Sequence, residues 1–436
     1  MRALLAELGD PHQRIPSVHI AGSKGKGSTG AFIAAAARQA GHRVGFSSSP
    51  HLHRFPERIA INGQPLPDDV FAVEAETVTR AATRLEATQP EIGQVTTFEM
   101  ITAMALNAFA EQGCDLSVIE VGLGGRYDAT NVLHPIASVI TRIDFEHTAV
   151  LGPTYADIAW QKAGILRPGV PALSAPQVPE AEAAIIRAAA ETGSPLQVGG
   201  RDWTWRGSWR SFSAHGPWGA WHDLSTGIPG PHQVENACTA LSALHAIDSA
   251  GIRVSEAAAR AGLTTVRWPG RFERVAIEDR EVVFDGAHTP AAAAALVSTW
   301  QEGFGEVSAT VILGMGSDKD AGAFLAALQP VIGQLIVTKA DSPRAADPTI
   351  IAAAARGLGM QHEIQPSVAA AVATAKANYQ GPILITGSLF VVGEGREATG
   401  LAEPDRVWLA LNSAGRTGQP AADSPQKSTN LPVSRR

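Results

Sequence analysis

Short apolar runs alternate with amphipathic or alanine-rich stretches along most of the chain. This alternation predicts an α/β protein built on parallel sheets. In the first half, the predicted strands are 17–21, 43–46, 116–121 and 137–143, and the predicted helices are 31–40, 69–87, 96–112, 154–163, 180–192, 232–250 and 255–261. In the second half, the predicted strands are 271–277, 281–284, 309–313, 334–338 and 382–386, and the predicted helices are 291–300, 321–331, 349–358 and 368–379.

One region departs from this pattern. Five tryptophans fall within residues 201–225 with polar residues between them: Trp203, Trp205, Trp209, Trp218 and Trp221. The spacing predicts an antiparallel hairpin rather than another βαβ unit. A platform on which bases stack is the alternative, but such aromatic side chains more often cover a core, and that interpretation is favoured.

Length and pattern together predict two domains, because 436 residues exceed what one ordinary core supports. The second alternating series begins near Trp268. We therefore predict a P-loop domain over residues 1–268, with a parallel sheet and a small antiparallel hairpin region. A smaller Rossmann-like α/β domain follows over 269–411. Residues 412–436 are rich in proline, serine and glutamine, which predicts a disordered tail.

Composition excludes several classes of protein. The net charge is −7 and the basic residues are not clustered, so nucleic-acid binding has little support. Cys114 and Cys238 are the two cysteines, which argues against a disulfide framework or a cysteine-ligated zinc site. No apolar run approaches the roughly 20 residues that span a bilayer, and the N-terminus lacks a signal-peptide pattern. A cytoplasmic enzyme is expected, with neither nucleic acid nor membrane as a partner.

The first candidate for chemistry is a glycine-rich loop between the predicted strand 17–21 and the helix after it. Its glycines turn backbone N–H groups toward an anion, and the start of the helix adds partial positive charge. Lys26 is placed to reach phosphates, and the Ser28 or Thr29 hydroxyl to reach Mg²⁺. Gly27 separates Lys26 from Ser28, which departs from the strict Walker pattern, and a turn without a ligand is the alternative. The predicted ATP-binding positions here are Gly22, Gly25, Lys26, Gly27, Ser28 and Thr29.

Polar residues also follow the central strands. Glu120 ends the strand 116–121, where a P-loop enzyme places a magnesium ligand, although a carboxylate facing water is the alternative. His147 follows the next strand; it is either a metal ligand or a hydrogen-bonded structural residue. Lys162 ends a predicted helix, and its position alone predicts a solvent-facing side chain.

The second half repeats this arrangement. Asp285 and His288 lie at a strand-to-helix turn, residues 314–320 and 342–344 follow later strands, and Ser388 follows the strand 382–386. In an open α/β sheet such turns share the edge that binds ligands. Each alone fits ordinary turn chemistry, but several together favour a binding site.

From about residue 1 to 411 the chain resembles the folylpolyglutamate synthase/dihydrofolate synthase family of the Mur ligase superfamily. The motifs that carry the resemblance are the phosphate loop, Ser48-Ser49-Pro50-His51-Leu52, Glu57-Arg58-Ile59, Thr97-Phe98-Glu99, the block 120–131, His147, Lys162-Ala163-Gly164-Ile165, His232-Gln233 with Asn236, Pro269-Gly270-Arg271 and Asp285-Gly286-Ala287-His288. The resemblance implies a monomeric ATP-dependent amide ligase with ATP between the two domains. It implies addition of L-glutamate to folate, to dihydropteroate or to both, through an acyl phosphate.

The resemblance also implies a role for each matching residue. Lys26 would contact the phosphates, Ser49 and Glu120 would hold one Mg²⁺, and Glu120 with His147 would hold a second. Lys162 would be carbamylated. The remaining implied roles are ATP contacts for Asn236, Arg271 and Asp285, placement of glutamate by His288 and Ser388, and substrate contacts for Thr97, Glu99, Arg126 and Asp128.

The chain departs from the family pattern at several positions. Ser23-Lys24 replaces the usual Thr-Asn, Glu146 replaces an Asp, Gln161 a Glu, and Thr289 an Asn. These changes leave two alternatives open. The first is a superfamily ligase for another amino acid and acceptor, such as a muramyl-peptide ligase. The second is a nucleotide-binding module without ligase activity.

Overall fold

A computed structural model describes residues 1–403, which form three sheets with helices packed around them. The strands are β1 (Ser17–Ala21), β2 (Val44–Ser47), β3 (Ile59–Ile61), β4 (Gln64–Pro65), β5 (Leu116–Glu120), β6 (Ala137–Ile140), β7 (Ala172–Ser174), β8 (Leu196–Val198), β9 (Thr204–Ser208), β10 (Ser211–Gly216), β11 (Gly219–Leu224), β12 (Glu273–Ile277), β13 (Arg280–Asp285), β14 (Ala309–Leu313), β15 (Ile332–Val337), β16 (Glu363–Ile364) and β17 (Ile383–Thr386). The helices are α1 (Arg2–Glu7), α2 (Lys26–Gln39), α3 (Asp68–Thr88), α4 (Thr97–Glu111), α5 (Thr148–Leu151), α6 (Tyr155–Lys162), α7 (Pro179–Thr192), α8 (Pro231–Ile247), α9 (Glu256–Thr265), α10 (Pro290–Phe304), α11 (Ala321–Leu328), α12 (Pro348–Gly357), α13 (Val368–Asn378) and α14 (Leu389–Ala398).

The first sheet has the strand order β4-β3-β2-β5-β1-β6-β7-β8. Strands β2, β5, β1, β6, β7 and β8 are parallel, and β3 and β4 add an antiparallel edge. Every residue of β1, β5 and β6 is buried. One face packs against α2 and α8, and the other against α4, which explains why these central strands read as continuous apolar runs.

The tryptophan-rich region forms a second sheet of three antiparallel strands, β9 to β11. Trp203 is 1% exposed, and the other four tryptophans pack partly buried against the same core as α2 and α8. The prediction of antiparallel structure that covers a core is therefore confirmed, with one strand more than a hairpin.

The third sheet has the order β12-β13-β17-β14-β15-β16, in which β12 is antiparallel and the others are parallel. Helices on both faces give it the predicted Rossmann-like arrangement. The predicted fold class, a P-loop domain with a parallel sheet and a smaller Rossmann-like α/β domain, is confirmed. The limits 1–268 and 269–411 stay predictions, and the tail predicted for 412–436 lies outside the described residues.

Several predicted boundaries were wrong in detail. Strand β6 ends at Ile140 rather than at residue 143, because the chain turns there to pass beneath the phosphate loop, where Arg142 accepts two hydrogen bonds through its carbonyl oxygen. Helix α2 begins at Lys26, five residues before the prediction, since its first turn is made of the loop's own residues. Within residues 1–403, no helix is both long and apolar enough to cross a membrane.

Candidate active site

The carboxyl ends of three central strands bring the predicted site residues together. Ile20 of β1 pairs with Glu120 of β5 on one side and with Val139 of β6 on the other. The loop after β1, the acid that ends β5 and the segment after β6 are therefore neighbours at one edge. This is the edge at which parallel α/β sheets bind ligands.

The phosphate loop has a backbone that requires glycine at two positions. Gly22 has φ +149° and Gly25 has φ +88°. A Cβ at Gly22 would lie 1.8 Å from Thr141 Oγ1, and one at Gly25 would lie 2.3 Å from Asn236 Oδ1. The loop is thus packed against β6 on one side and α8 on the other, which leaves no room for a side chain.

Two further contacts fix the loop and its lysine. The backbone N–H groups of Ser23 and Lys24 both donate to the carbonyl oxygen of Arg142, at 2.9 and 3.0 Å. Lys26 Nζ donates to the carbonyl oxygen of Gly22 at 3.0 Å and lies 3.9 Å from Glu120 Oε1. The ammonium group is held beside the loop's backbone and within reach of the acid at the end of β5.

Glu120 is a buried carboxylate with basic groups around it. It is 6% exposed, and its Oε2 accepts a hydrogen bond of 3.2 Å from the backbone N–H of Ser49. Burial raises the pKa of Glu120, while Lys26, the Ser49 N–H and Arg271 act in the opposite direction. A carboxylate placed in this way gains from any additional cation at the site.

Lys162 is not solvent-facing, contrary to what its position in the sequence alone predicts. The residue is 2% exposed, and its Nζ donates to Glu146 Oε1 at 2.6 Å and to the carbonyl oxygen of Gly22 at 2.8 Å. Burial lowers the pKa of Lys162 to about 8, with Glu146 opposing the shift and Lys26 and Lys24 adding to it. Helix α6 thus delivers a lysine beneath the phosphate loop.

The second domain contributes Arg271 and Asp285. Asp285 accepts hydrogen bonds from the backbone N–H groups of Phe272 and Ala287, at 2.8 and 2.9 Å. Burial raises the pKa of Asp285, and the positive charge of Arg271 acts in the opposite direction. The charge of Arg271 also acts on Glu120 and lowers the pKa of that carboxyl, so a charge of the second domain influences the acid of the first.

His288 and Ser388 lie at neighbouring turns of the third sheet. His288 Nδ1 donates to the carbonyl oxygen of Gly286 at 2.8 Å, and Ser388 caps α14 by accepting from the Val391 N–H at 3.1 Å. Burial lowers the pKa of His288 despite that hydrogen bond, and the nearby cation Lys24 lowers it further. Both effects favour the neutral imidazole at His288.

Two residues of the block 120–131, predicted to contact substrate, make contacts within the protein: Asp128 in its own loop and Arg126 with α6. Asp128 accepts from the backbone N–H groups of Leu123 and Thr130, at 2.8 and 3.0 Å. Arg126 places its guanidinium carbon 4.2 Å from the centre of the Trp160 ring. Their contacts with substrate stay predictions.

The predicted substrate residues on α4 are arranged in a similar way. Glu99 caps this helix through Thr96, and its Oε1 accepts from the Met1 amino group at 3.1 Å. Thr97 is exposed in the first turn. The ring of Phe98 between them packs against Gly122, so the motif joins α4 to the block after β5. Substrate contacts for Thr97 and Glu99 also stay predictions.

The site contains oxygen atoms that are suitable ligands for magnesium. His147 is exposed and has φ +48°, and its predicted partnership with Glu120 stays untested. In residues 1–403 no three His, Cys, Asp or Glu side chains are grouped to hold a metal ion by themselves. Mg²⁺ commonly needs only one or two carboxylates beside phosphate and water oxygens, and Glu120 meets that need. Thr29 Oγ1, in the first turn of α2, is buried and has no hydrogen-bond partner.

Comparison with known proteins identifies the family. Residues 270–389 match the model of the Mur ligase glutamate ligase domain. The chain is 33% identical over 406 residues to the dihydrofolate synthase/folylpolyglutamate synthase of Bacillus subtilis, across 91% of this chain and 93% of that relative. The chain belongs to the folylpolyglutamate synthase/dihydrofolate synthase family. Among solved structures, the folylpolyglutamate synthase of Mycobacterium tuberculosis complexed with ADP and AMPPCP superposes with a TM-score of 0.85 at 31% identity, covering 93% of this chain and 95% of that one.

A second similar structure is E. coli FolC in complex with DHPP and ADP, with a TM-score of 0.79, 31% identity and coverage of 95% of this chain and 92% of that one. The predicted family and the prediction of an ATP-dependent glutamate ligase of folate metabolism are confirmed, so the alternative of a module without ligase activity was wrong. The predicted roles of individual residues stay predictions.

Sequence reasoning missed some members of this folylpolyglutamate synthase-like site. Glu146 was noted as a departure from the family, but nothing in the sequence showed that it pairs with Lys162. Trp268, noted as a domain boundary, packs its ring against Gly27, where a Cβ would lie 3.1 Å from Cζ2. An isolated tryptophan in a linker gives no signal of such a contact.

Proposed function

We propose that the chain joins the amine of L-glutamate to the carboxylate of a pterin-bearing acceptor, dihydropteroate or a reduced folate, with ATP as the second substrate. The observation that carries the proposal is the convergence of Lys26, Glu120 and Lys162 at the phosphate loop, together with the attraction between Glu120 and Arg271 of the other domain. A site formed between two domains excludes water when the domains close over it. The proposed enzyme is a monomer of the cytoplasm that acts on small molecules.

The reaction needs two steps because a carboxylate has no good leaving group. The acceptor carboxylate first takes the γ-phosphoryl group of ATP, which forms an acyl phosphate and ADP. The amine of glutamate then attacks the acyl carbon, and phosphate and a proton leave as the amide forms. Glu120 and Ser49 would hold Mg²⁺, which would supply neutralisation of the charge on the phosphate oxygens.

The chain's own groups act at stated atoms in these steps. Lys26 Nζ and the backbone N–H groups of the phosphate loop stabilise the charge on the transferred phosphoryl group. Asn236, Arg271 and Asp285 hold the nucleotide, and Ser388 orients the glutamate. His288, whose Nδ1 is held by Gly286, presents Nε2 as the acceptor for the proton that the amine loses.

The segments that leave the site edge of the sheet carry exposed apolar side chains, which would suit a flat, partly apolar acceptor. Four large hydrophobic side chains are exposed on the segments that follow β5 and β6: Leu123, Tyr127, Phe145 and Val150. Tyr127 is 87% exposed, which leaves its ring open to stacking. Exposed apolar groups beside a phosphate site favour an aromatic acceptor over a purely peptidic one, and so favour this proposal over a muramyl-peptide ligase.

The acceptor is tested by mass spectrometry and phosphate release. Purified protein with ATP, Mg²⁺ and L-glutamate is given dihydropteroate in one reaction and a reduced folate in another. We expect one glutamyl addition to dihydropteroate and successive additions to folate, each with one phosphate released. Reactions without glutamate or without acceptor are the controls. Phosphate release that continues in both, with no heavier product, would contradict a ligase.

We further propose that Lys162 is carbamylated and that its carboxylate helps to hold Mg²⁺. Carbamate forms when a neutral amine adds to CO₂ and releases a proton, and a pKa of about 8 leaves part of this amine neutral near pH 7.5. Lys26 and Lys24, the two cations that help to lower the pKa of Lys162, would stabilise the resulting anion.

The carbamate predicts a carbonyl signal that depends on pH. With ¹³C-labelled CO₂ held at constant dissolved concentration, the ¹³C NMR spectrum should show a carbamate resonance that grows as pH rises through about 8. The sign follows from deprotonation, because only the neutral amine reacts. Lys162→Met should lack the resonance, while Lys376→Met, at a half-buried lysine of the second domain, should keep it. A wild-type spectrum without it at pH 9, together with turnover that does not respond to CO₂ removal, would exclude the carbamate.

A further inference from the structure

A histidine with a buried side chain joins the loop that presents Ser49 to helix α14 of the second domain. His53 follows β2 in the same loop as Ser49, and its side chain is 6% exposed. Its Nδ1 lies 2.9 Å from Glu397 Oε1, and Arg396 Nε donates to its Nε2 at 3.2 Å. A guanidinium only donates, so Nε2 is the acceptor and Nδ1 carries the hydrogen that goes to Glu397.

Arg396 extends this arrangement to the segment that precedes Arg271. Its Nη1 pairs with Glu273 Oε1, and Glu273 Oε2 accepts from the backbone N–H of Gly270 at 2.9 Å. Gly270 directly precedes Arg271. We call His53, Glu273, Arg396 and Glu397 the interdomain cluster. It runs from the Ser49 loop at one end to the residue before Arg271 at the other.

Close apolar and backbone packing surrounds the interdomain cluster. Leu52 packs against the core of the second domain beside Val391 and Val392. A Cβ at Gly393 would lie 2.9 Å from the carbonyl oxygen of Leu52, so the glycine lets α14 rest directly on the loop. On its other side the loop is fixed by Glu57, which accepts from the backbone N–H groups of Leu52 and His53 at 2.8 and 3.0 Å.

Helix α14 therefore contacts two segments with predicted roles in the reaction. Its N-cap is Ser388, proposed to orient glutamate, and its last turn holds the loop whose Ser49 N–H donates to Glu120. Relative movement of the two domains would separate the Ser49 loop from the second domain unless a contact held them together. The interdomain cluster is such a contact, and its charged side chains are largely buried.

We propose that the interdomain cluster is a positioning device that keeps the Ser49 loop and Arg271 aligned across the domain boundary, so that the acyl phosphate meets the amine rather than water. His53 and Glu397 act through Ser49 and Glu120 and touch no reacting atom. The inference rests on the proposed ligase function. If alignment is lost, water attacks the acyl phosphate and yields the original carboxylate, phosphate and a proton, so ATP is consumed without amide formation.

The measurable quantity is the number of phosphates released per glutamyl product. His53→Leu removes both hydrogen bonds at similar bulk, and Glu397→Gln removes the negative charge at the same shape. We expect both variants to raise this ratio from about one to about three or more, and to lower kcat for product by about tenfold. The double variant should differ from His53→Leu by less than about twofold, because both changes break one contact.

The ratio separates positioning from a loss of folded protein, because unfolding lowers phosphate and product in equal proportion. His42→Leu is the matched control, since His42 bonds a backbone carbonyl of the first domain through Nε2 at 3.0 Å. It should keep the wild-type ratio. If His53→Leu does not fold, the phosphate-to-product ratio of Glu397→Gln tests the inference by itself. A wild-type ratio in Glu397→Gln, with active wild-type enzyme, overturns the inference, whereas wild-type protein that forms no product overturns the proposed function itself.

Discussion

Replacing Lys26 with alanine is expected to lower kcat by about 1,000-fold. The side chain places its ammonium group between the phosphate-loop backbone and Glu120, with Nζ 3.0 Å from the Gly22 carbonyl oxygen. Charge develops on phosphate oxygens during phosphoryl transfer, and alanine provides nothing to offset it. Phosphate release and glutamyl product, measured together under saturating ATP and Mg²⁺, should fall in parallel.

The matched control is Lys376→Ala, which removes a half-buried lysine that pairs with Glu278 in the second domain. It should retain wild-type kcat. Lys26→Arg adds a second comparison, because it keeps the charge and changes the reach, and its activity should lie between the two. Circular dichroism and thermal unfolding establish that the variants are folded. If Lys26→Ala keeps more than a tenth of wild-type kcat, the assignment of Lys26 to the phosphates of ATP is contradicted.

The second large effect is expected for Glu120→Gln. Glutamine keeps an oxygen to accept from the Ser49 N–H and removes the charge. We expect kcat to fall about 100-fold and the Mg²⁺ concentration for half-maximal activity to rise about tenfold, because Mg²⁺ would lose its principal protein carboxylate. Both values come from an Mg²⁺ titration at fixed ATP.

The Glu120→Gln variant should lose activity without losing thermal stability. Burial raises the pKa of Glu120, which means that folding disfavours the charged form. The metal-free variant should therefore unfold at the same temperature as wild type or at a higher one. Glu111→Gln, at an exposed carboxylate, should leave both activity and Mg²⁺ dependence unchanged. An unaltered Mg²⁺ dependence in Glu120→Gln would contradict the assignment of this carboxylate to magnesium.

Much of the architecture could be predicted from the sequence because the central strands are buried on both faces. Strands β1, β5 and β14 have nearly the predicted limits, since a continuous apolar run has no other stable place in an α/β protein. The three-residue strands β7 and β8 were missed. Runs so short carry no periodicity, and the sheet around them decides their conformation.

The site divides in a similar way. Residues in one local segment, such as Lys26 or Glu120 at its strand end, were predictable because strand, turn and helix fix their positions. Lys162 was not, because its burial depends on Gly22, 140 residues earlier, and on Glu146. Likewise, no pattern near His53 indicates Glu397, which is 344 residues away. Contacts between distant segments require the tertiary structure.

Because Trp268 packs on the phosphate loop, it can serve as an intrinsic fluorescent probe of that loop. Its ring centre lies 5.4 Å from that of Phe46, and its indole edge rests against Gly27. Fluorescence from such an indole responds to the polarity and motion of its immediate surroundings. Subtracting the emission of a Trp268→Phe variant from that of the intact chain would isolate this signal from the other tryptophans. Nucleotide arrival at the loop can then be timed without attaching any dye.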